Sequence, residues 1–176
     1  MTDFVRYLAQ QLSFRGEHRM TTRLTRSVVA AFAVVATAAG LAMAHSGATG
    51  IVKERMDHMG QIGKATKAIG QMLQGKTAYD AEVLEAYARE IAAAGGSKMT
   101  AMFPEGSIQG PSEARPEIWS DWDRFAGSAQ ELTRTASALA DGAGNERDAG
   151  PMAPETLFAV MAGTCKSCHQ NFRIKK

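Results

Sequence analysis

Apolar residues recur at three- and four-residue steps in four separate stretches of this chain, and no stretch alternates apolar and polar residues as a strand does. That period gathers side chains on one helical face, so the core is buried by packing helices on one another. The first stretch runs from Ile51 to Leu73, with Val52, Met59, Ile62, Ile69 and Leu73 on the stripe and Arg55 and Thr66 filling its gaps. Gly75 stops it, because glycine takes the left-handed conformation at little cost. Asp80 is the N-cap of a second helix that carries Leu84, Tyr87, Ile91 and Ala94 and ends at Gly95-Gly96. A long connection from Ser97 to Arg115 follows, with turn signals at Phe103-Pro104 and Pro111. Pro116 opens a third helix with the stripe Ile118, Trp122, Phe125, Ala129, Leu132, Ala136 and Leu139. After a loop from Gly142 to Pro151, the last helix opens near Pro154 and carries Leu157, Met161, Cys165, Cys168 and Phe172. The pattern predicts an all-α antiparallel four-helix bundle with one long crossover. Trp119 and Trp122 read as core or interface aromatics.

Residues 1–44 are unlike the rest. Arg15, Arg19, Arg23 and Arg26 precede an uncharged run from Val28 to Ala44 that ends in Ala42-Met43-Ala44. A basic flank, a short apolar run and an A-x-A ending make a secretory signal, cut after Ala44, that sends residues 45–176 to the periplasm as one domain. The run falls short of the ~20 residues that span a bilayer, so no stable membrane insertion is expected after cleavage. Met20 begins a compact signal by itself, and residues 1–19 read as an upstream extension. The whole chain has 20 Lys and Arg against 18 Asp and Glu, a formal +2. The leader takes five basic and two acidic residues with it, leaving 15 against 16. No basic stripe with interleaved aromatics remains, which excludes nucleic acid as a partner. Two cysteines are too few for a disulfide scaffold.

The chemistry sits in Cys165-Lys166-Ser167-Cys168-His169. Cys-x-x-Cys-His is the attachment signature of a c-type haem. Cysteines three apart share a helical face, so both sulfurs reach the vinyl groups on one porphyrin edge, and the histidine that follows turns its imidazole under the iron. The expected cofactor is one haem c, bound covalently by Cys165 and Cys168, with His169 on the metal. Competing readings fare worse. A redox-active Cys-x-x-Cys opens a helix after a strand in a thioredoxin-like setting. Zinc needs about four ligands, and residues 45–176 offer only His45 and His58 besides His169. A disulfide between residues three apart on one helix constrains almost nothing.

What stands on the other side of the iron decides the function. Met59 lies on the centre line of the first stripe, His58 is rotated from it by about 100°, and Met56 and Met72 lie farther off. Met59 is a candidate metal ligand, although a flexible thioether also suits a gap in the core. Arg55, one turn earlier on the same face, needs an anion if it is buried. A haem propionate would satisfy it bidentately; the alternative is a snorkelling surface side chain.

Cys-Lys-Ser-Cys-His followed by Gln170-Asn171-Phe172-Arg173, on the last of four helices, resembles class II c-type cytochromes, the cytochrome c-prime family. The resemblance covers essentially all of residues 45–176. Arg55 and Met59 fall where that family has an Arg followed four residues later by its distal residue. Phe103-Pro104 matches the Phe-Pro of its crossover, Ile118-Trp119 the opening of its third helix, and Arg173 the basic residue beside the proximal histidine. The resemblance thus implies cofactor-binding roles for Arg55 and Arg173.

Two functional types exist in the family. Members with a non-coordinating distal residue hold a five-coordinate iron that binds nitric oxide or carbon monoxide. Members with Met there hold a six-coordinate, low-spin haem suited to electron transfer. Met59 puts this chain with the second type: a periplasmic monohaem electron carrier, not an enzyme, with His169 and Met59 on the iron. Gas binding at an open site is the alternative. A peroxidase would need an acid–base residue over the iron, and His58, the only candidate, faces away by a good fraction of a turn. Family members are often homodimers through their first two helices, whereas redox partners are not named by the sequence. Two ionised propionates bring the holoprotein to about −3, so docking rests on local groups such as Lys166, Arg173, Lys175 and Lys176.

Overall fold

The computed structural model describes residues 47–174. The signal segment expected at 1–44, with its extension at 1–19, and the docking candidates Lys175 and Lys176 lie outside the described residues. Helix α1 spans Gly50–Leu73. Its end is closed by Gln74, whose N–H donates to Gly70 O, and by Gly75, which at φ 69° turns the chain and donates to Met72 O. Asp80 caps α2 (Ala81–Ala94), its carboxylate accepting from the Val83 N–H, an arrangement that contributes about 1 kcal/mol. At Gly95 the chain runs so close to the third long helix that a Cβ would lie 2.5 Å from Thr133 Oγ1 and 3.0 Å from Ala129 O. A single turn, α3 (Gly96–Thr100), then opens the crossover.

The third helix comes in two pieces. A short α4 (Glu117–Ser120) breaks at Asp121, with φ −128° and ψ 49°, before α5 (Trp122–Asp141) resumes. This break corrects the expected stripe, which ran unbroken from Ile118 to Trp122. Beside this break Trp122 is 38% exposed. Trp119 is the half-buried indole instead, its N–H donating to Phe103 O at 3.0 Å. Ile118 and the stripe from Phe125 to Leu139 are buried as the periodicity predicts. The last helix, α6, spans Pro154–Phe172, with proline in its first turn.

The four long helices run antiparallel. Thr133 on α5 donates to Ala92 O near the end of α2, while Arg89, one turn back, pairs with Asp141 at the far end of α5. Phe125 meets Phe172, and Gly142 abuts Leu157, so α5 and α6 are also opposed. Gly70, late in α1, lies against Phe158, early in α6. Ile69, Leu84, Ile91, Ala136, Leu139 and Met161 are fully buried between them, the larger side chains contributing about 1.5–3 kcal/mol each. The result is the expected four-helix bundle. Among the described residues no strand forms, but Ala114 and Arg173 make one isolated antiparallel bridge. Through it the Arg115 N–H donates to Phe172 O and the Ile174 N–H to Glu113 O, strapping the end of the crossover to the end of α6.

Candidate haem site

Cys165, Cys168 and His169 lie in the last turns of α6, where the strap holds the helix end in place. Both cysteines are free and half-buried, packed against the hydrophobic core. Burial pushes both thiols up, and Cys168, which also feels the charge of Cys165, reaches about 11. The thiols are therefore protonated at neutral pH. A redox-active pair needs the reverse, a thiolate favoured by a helix N-terminus or a nearby cation. Among the described residues, no group of three or more His, Cys, Asp and Glu gathers as a metal cluster.

His169 presents its imidazole at the helix surface. Partial desolvation lowers its pKa first and the charge of Arg173 lowers it further, against an opposing effect of Glu113. The ring is neutral at physiological pH, the state with a lone pair to give a metal. Arg173 does not stand free beside it. Its guanidinium pairs with Glu113 of the crossover at 2.6–2.7 Å, a partly exposed contact of the kind that contributes about 0–1 kcal/mol.

Across the bundle stands α1. The Gly70–Phe158 contact sets the register of α1 and α6. Moving an equal number of residues back along α1 and forward along α6 brings Met59 level with His169, about 16 Å along the axis. α1 and α6 touch less than any other adjacent pair of long helices. Met59, Cys165 and Cys168 are each half-buried against the core. Two unpaired thiols on one helical face, a neutral imidazole directly after the second, and a loosely closed helix pair opposite them fit a covalently held haem.

Arg55 is buried, as its place on the stripe implies, but its partners are not anionic. Nε donates to Met102 O at 3.2 Å, Nη1 to Ser112 Oγ at 3.3 Å, and Nη2 to Ser107 O at 2.9 Å and Ser107 Oγ at 2.8 Å. The guanidinium also lies over the Phe103 ring. Burial lowers its pKa, and the crossover supplies the carbonyl and hydroxyl acceptors that a propionate was expected to supply. His58 is buried too, its Nε2 2.8 Å from Ala94 O at the end of α2. A carbonyl only accepts, so Nε2 carries the proton. Sequence reasoning missed Ser107, Ser112 and Glu113 as partners, since none of them stands in a periodic pattern. Two surface clefts flank this end of the bundle. One of about 330 Å³ is lined by Arg115, Gln170, Arg173 and Ile174; the other, of about 320 Å³, by Phe103, Glu105, Trp119 and Trp122.

The family model for cytochrome C' matches residues 50–173. The cytochrome c' of Rhodopseudomonas palustris is 34% identical over 147 residues, which cover 81% of this chain and 97% of that protein. A cytochrome c-556 of Agrobacterium tumefaciens is 32% identical over 123 residues, 69% of this chain and 93% of that one. A solved nitric oxide complex of a cytochrome c prime mutant from Alcaligenes xylosoxidans shares the fold at a TM-score of 0.60, with 28% identity over 72% of this chain and 94% of that one. These likenesses correct the expectation of a six-coordinate electron carrier with His169 and Met59 on the iron. Relatives named cytochrome c', and a similar structure holding nitric oxide, favour the five-coordinate alternative. The physical reason is that an inward thioether has the same periodic pattern whether it packs against the core or meets a metal.

Proposed function

The chain belongs to the cytochrome c' family, and on that premise we propose that it binds a small neutral gas, nitric oxide or carbon monoxide, at an open distal position. As a member it carries one covalently bound haem c. When bound, the haem would supply an iron able to take up one diatomic ligand. Cys165 and Cys168 would hold it as thioethers, and His169 would give the proximal nitrogen.

One observation carries this reading. Of the three neighbours on α1, Arg55 is committed to the crossover and His58 to Ala94 O, so the side level with His169 presents the apolar Met59. A distal pocket's polarity and hydrogen-bond donors decide which ligands it holds. An apolar wall without a donor suits neutral carbon monoxide and nitric oxide. It offers no group to move a proton at the iron, which argues against a peroxidase and for a binding protein rather than an enzyme. The signal expected at 1–44 supports a periplasmic setting for this binding. No described helix is long and apolar enough to cross a membrane.

The test is a carbon monoxide titration of the reduced holoprotein. Saturable binding with one gas per haem is the expected result. No spectral change at saturating carbon monoxide would overturn the proposal.

A further inference from the structure

We propose that His58 is a positioning residue for the distal side: by anchoring α1 to the end of α2 it fixes the rotation of α1, and with it where Met59 stands. The inference rests on the gas-binding reading and concerns how the distal wall is set.

His58 is 6% exposed, and its Nε2–H reaches Ala94 O at 2.8 Å. Arg55 and His58 are the buried polar residues among the described residues of α1. On a helix, His58 and Met59 point about 100° apart, with the direction of Arg55 between them. The three side chains thus divide the surroundings of α1: His58 takes α2, Arg55 takes the crossover, and Met59 takes the side level with His169.

The buried apolar side chains of this half of the helix are Val52 and Ile62. Thr49 at the N-cap makes no side-chain hydrogen bond, and the first turn has no acidic residue. Gly60 and Gly63 present no side chain, and a Cβ built on either meets nothing within 4 Å. Contact with α6 is sparse. Apolar burial is non-directional, so the directional bonds of His58 and Arg55 are what fix the rotation of α1. A side-chain tip stands about 5–6 Å from the helix axis, so a rotation of about 20° moves it about 2 Å. That displacement is enough to open or close a site for a two-atom ligand. Loss of the anchor also leaves a buried carbonyl without a donor, which favours such a shift.

A double-mutant cycle on the reduced holoprotein tests this, read as the carbon monoxide association rate after flash photolysis. His58→Leu removes the donor, and Met59→Ala removes the group being positioned. With Met59 present, His58→Leu is expected to change the rate about tenfold, equivalent to about 1.4 kcal/mol. In the Met59→Ala background the same change is expected to stay within about twofold, since the backbone shift that couples the two sites then carries no side chain across the opening. His58→Gln, whose amide can still donate to Ala94 O, is expected to restore the wild-type rate. Amide hydrogen exchange across residues 55–61 gives a second readout, and is expected to speed up in His58→Leu in both backgrounds.

Equal rate changes in the two backgrounds, or no rate change while exchange accelerates, would overturn the positioning role. If the His58→Leu holoprotein does not accumulate, His58→Asn, too short to span the gap, is read by the same criteria. The underlying reading fails separately: a low-spin, six-coordinate wild type overturns gas binding before His58 is altered. The rotation is then read as a weakened Met59–iron bond in His58→Leu, and an unchanged spectrum overturns positioning as well.

Discussion

The Arg55 guanidinium lies 4.1 Å over the centroid of the Phe103 ring, joining α1 to the start of the crossover. With its hydrogen bonds to Met102, Ser107 and Ser112, this one side chain holds both ends of a loop that has little regular structure of its own. Lysine has neither the planar fork nor the flat face for this site. Arg55→Lys is expected to cost about 2 kcal/mol. It should appear as a lower urea midpoint at unchanged slope, the signature of lost stability without a changed unfolded state. An unchanged midpoint would show that the crossover is held by other contacts.

The cysteines give a prediction for the chain before haem attachment. Cys168 is pushed up to about 11 by burial and by Cys165, against about 8.5 in an unfolded chain. At pH 8 the folded thiol is then ionised roughly 250-fold less, and the greater nucleophilicity of a high-pKa thiolate recovers about tenfold of this. Exchange with a small aromatic disulfide should therefore run about twentyfold slower in the folded haem-free chain than in urea. The sign for stability follows from proton binding: above pH 8.5 the folded state holds a proton that the unfolded state loses. Stability of the haem-free chain is thus full below that pH and declines as pH rises toward 11. Equal exchange rates in the two states would contradict the burial described here.

Phe125 sits at the centre of an aromatic cluster, with ring centroids 4.8 Å from Phe103, 5.6 Å from Trp122 and 5.4 Å from Phe172. It is 2% exposed, whereas Trp122 is 38% exposed. Phe125→Ala is expected to cost about 3–5 kcal/mol. Trp122→Ala, although it removes a larger ring, should cost under about half as much, since much of its surface is already in water. Chemical denaturation of the two variants decides this, and an equal cost would place Trp122 in the core.

That contrast marks where the sequence stops being legible. Asp80 was readable as a cap because capping is a local bond, from its carboxylate to an N–H three residues on. The buried stripe from Phe125 to Leu139 was readable because helical period is local too. Trp122, read as a stripe residue, is largely exposed beside the break at Asp121, and nothing in the neighbouring composition signals that break. Arg55 was correctly placed inside, yet its partners lie 47 to 57 positions away in a loop without periodicity. The haem helix was legible from Cys165-Lys166-Ser167-Cys168-His169, whose spacing carries the chemistry. Met59 was misread as to function for the opposite reason: an inward thioether has the same periodic signature whether it fills a gap or meets a metal.

The central claim is that Met59 is a wall and not a ligand. Electron paramagnetic resonance of the oxidised holoprotein, wild type beside Met59→Ala, tests it most directly. The account predicts a high-spin ferric signal in the wild type that Met59→Ala leaves high-spin. A low-spin wild type with a thioether-to-iron charge-transfer band, converted to high spin by Met59→Ala, would contradict it.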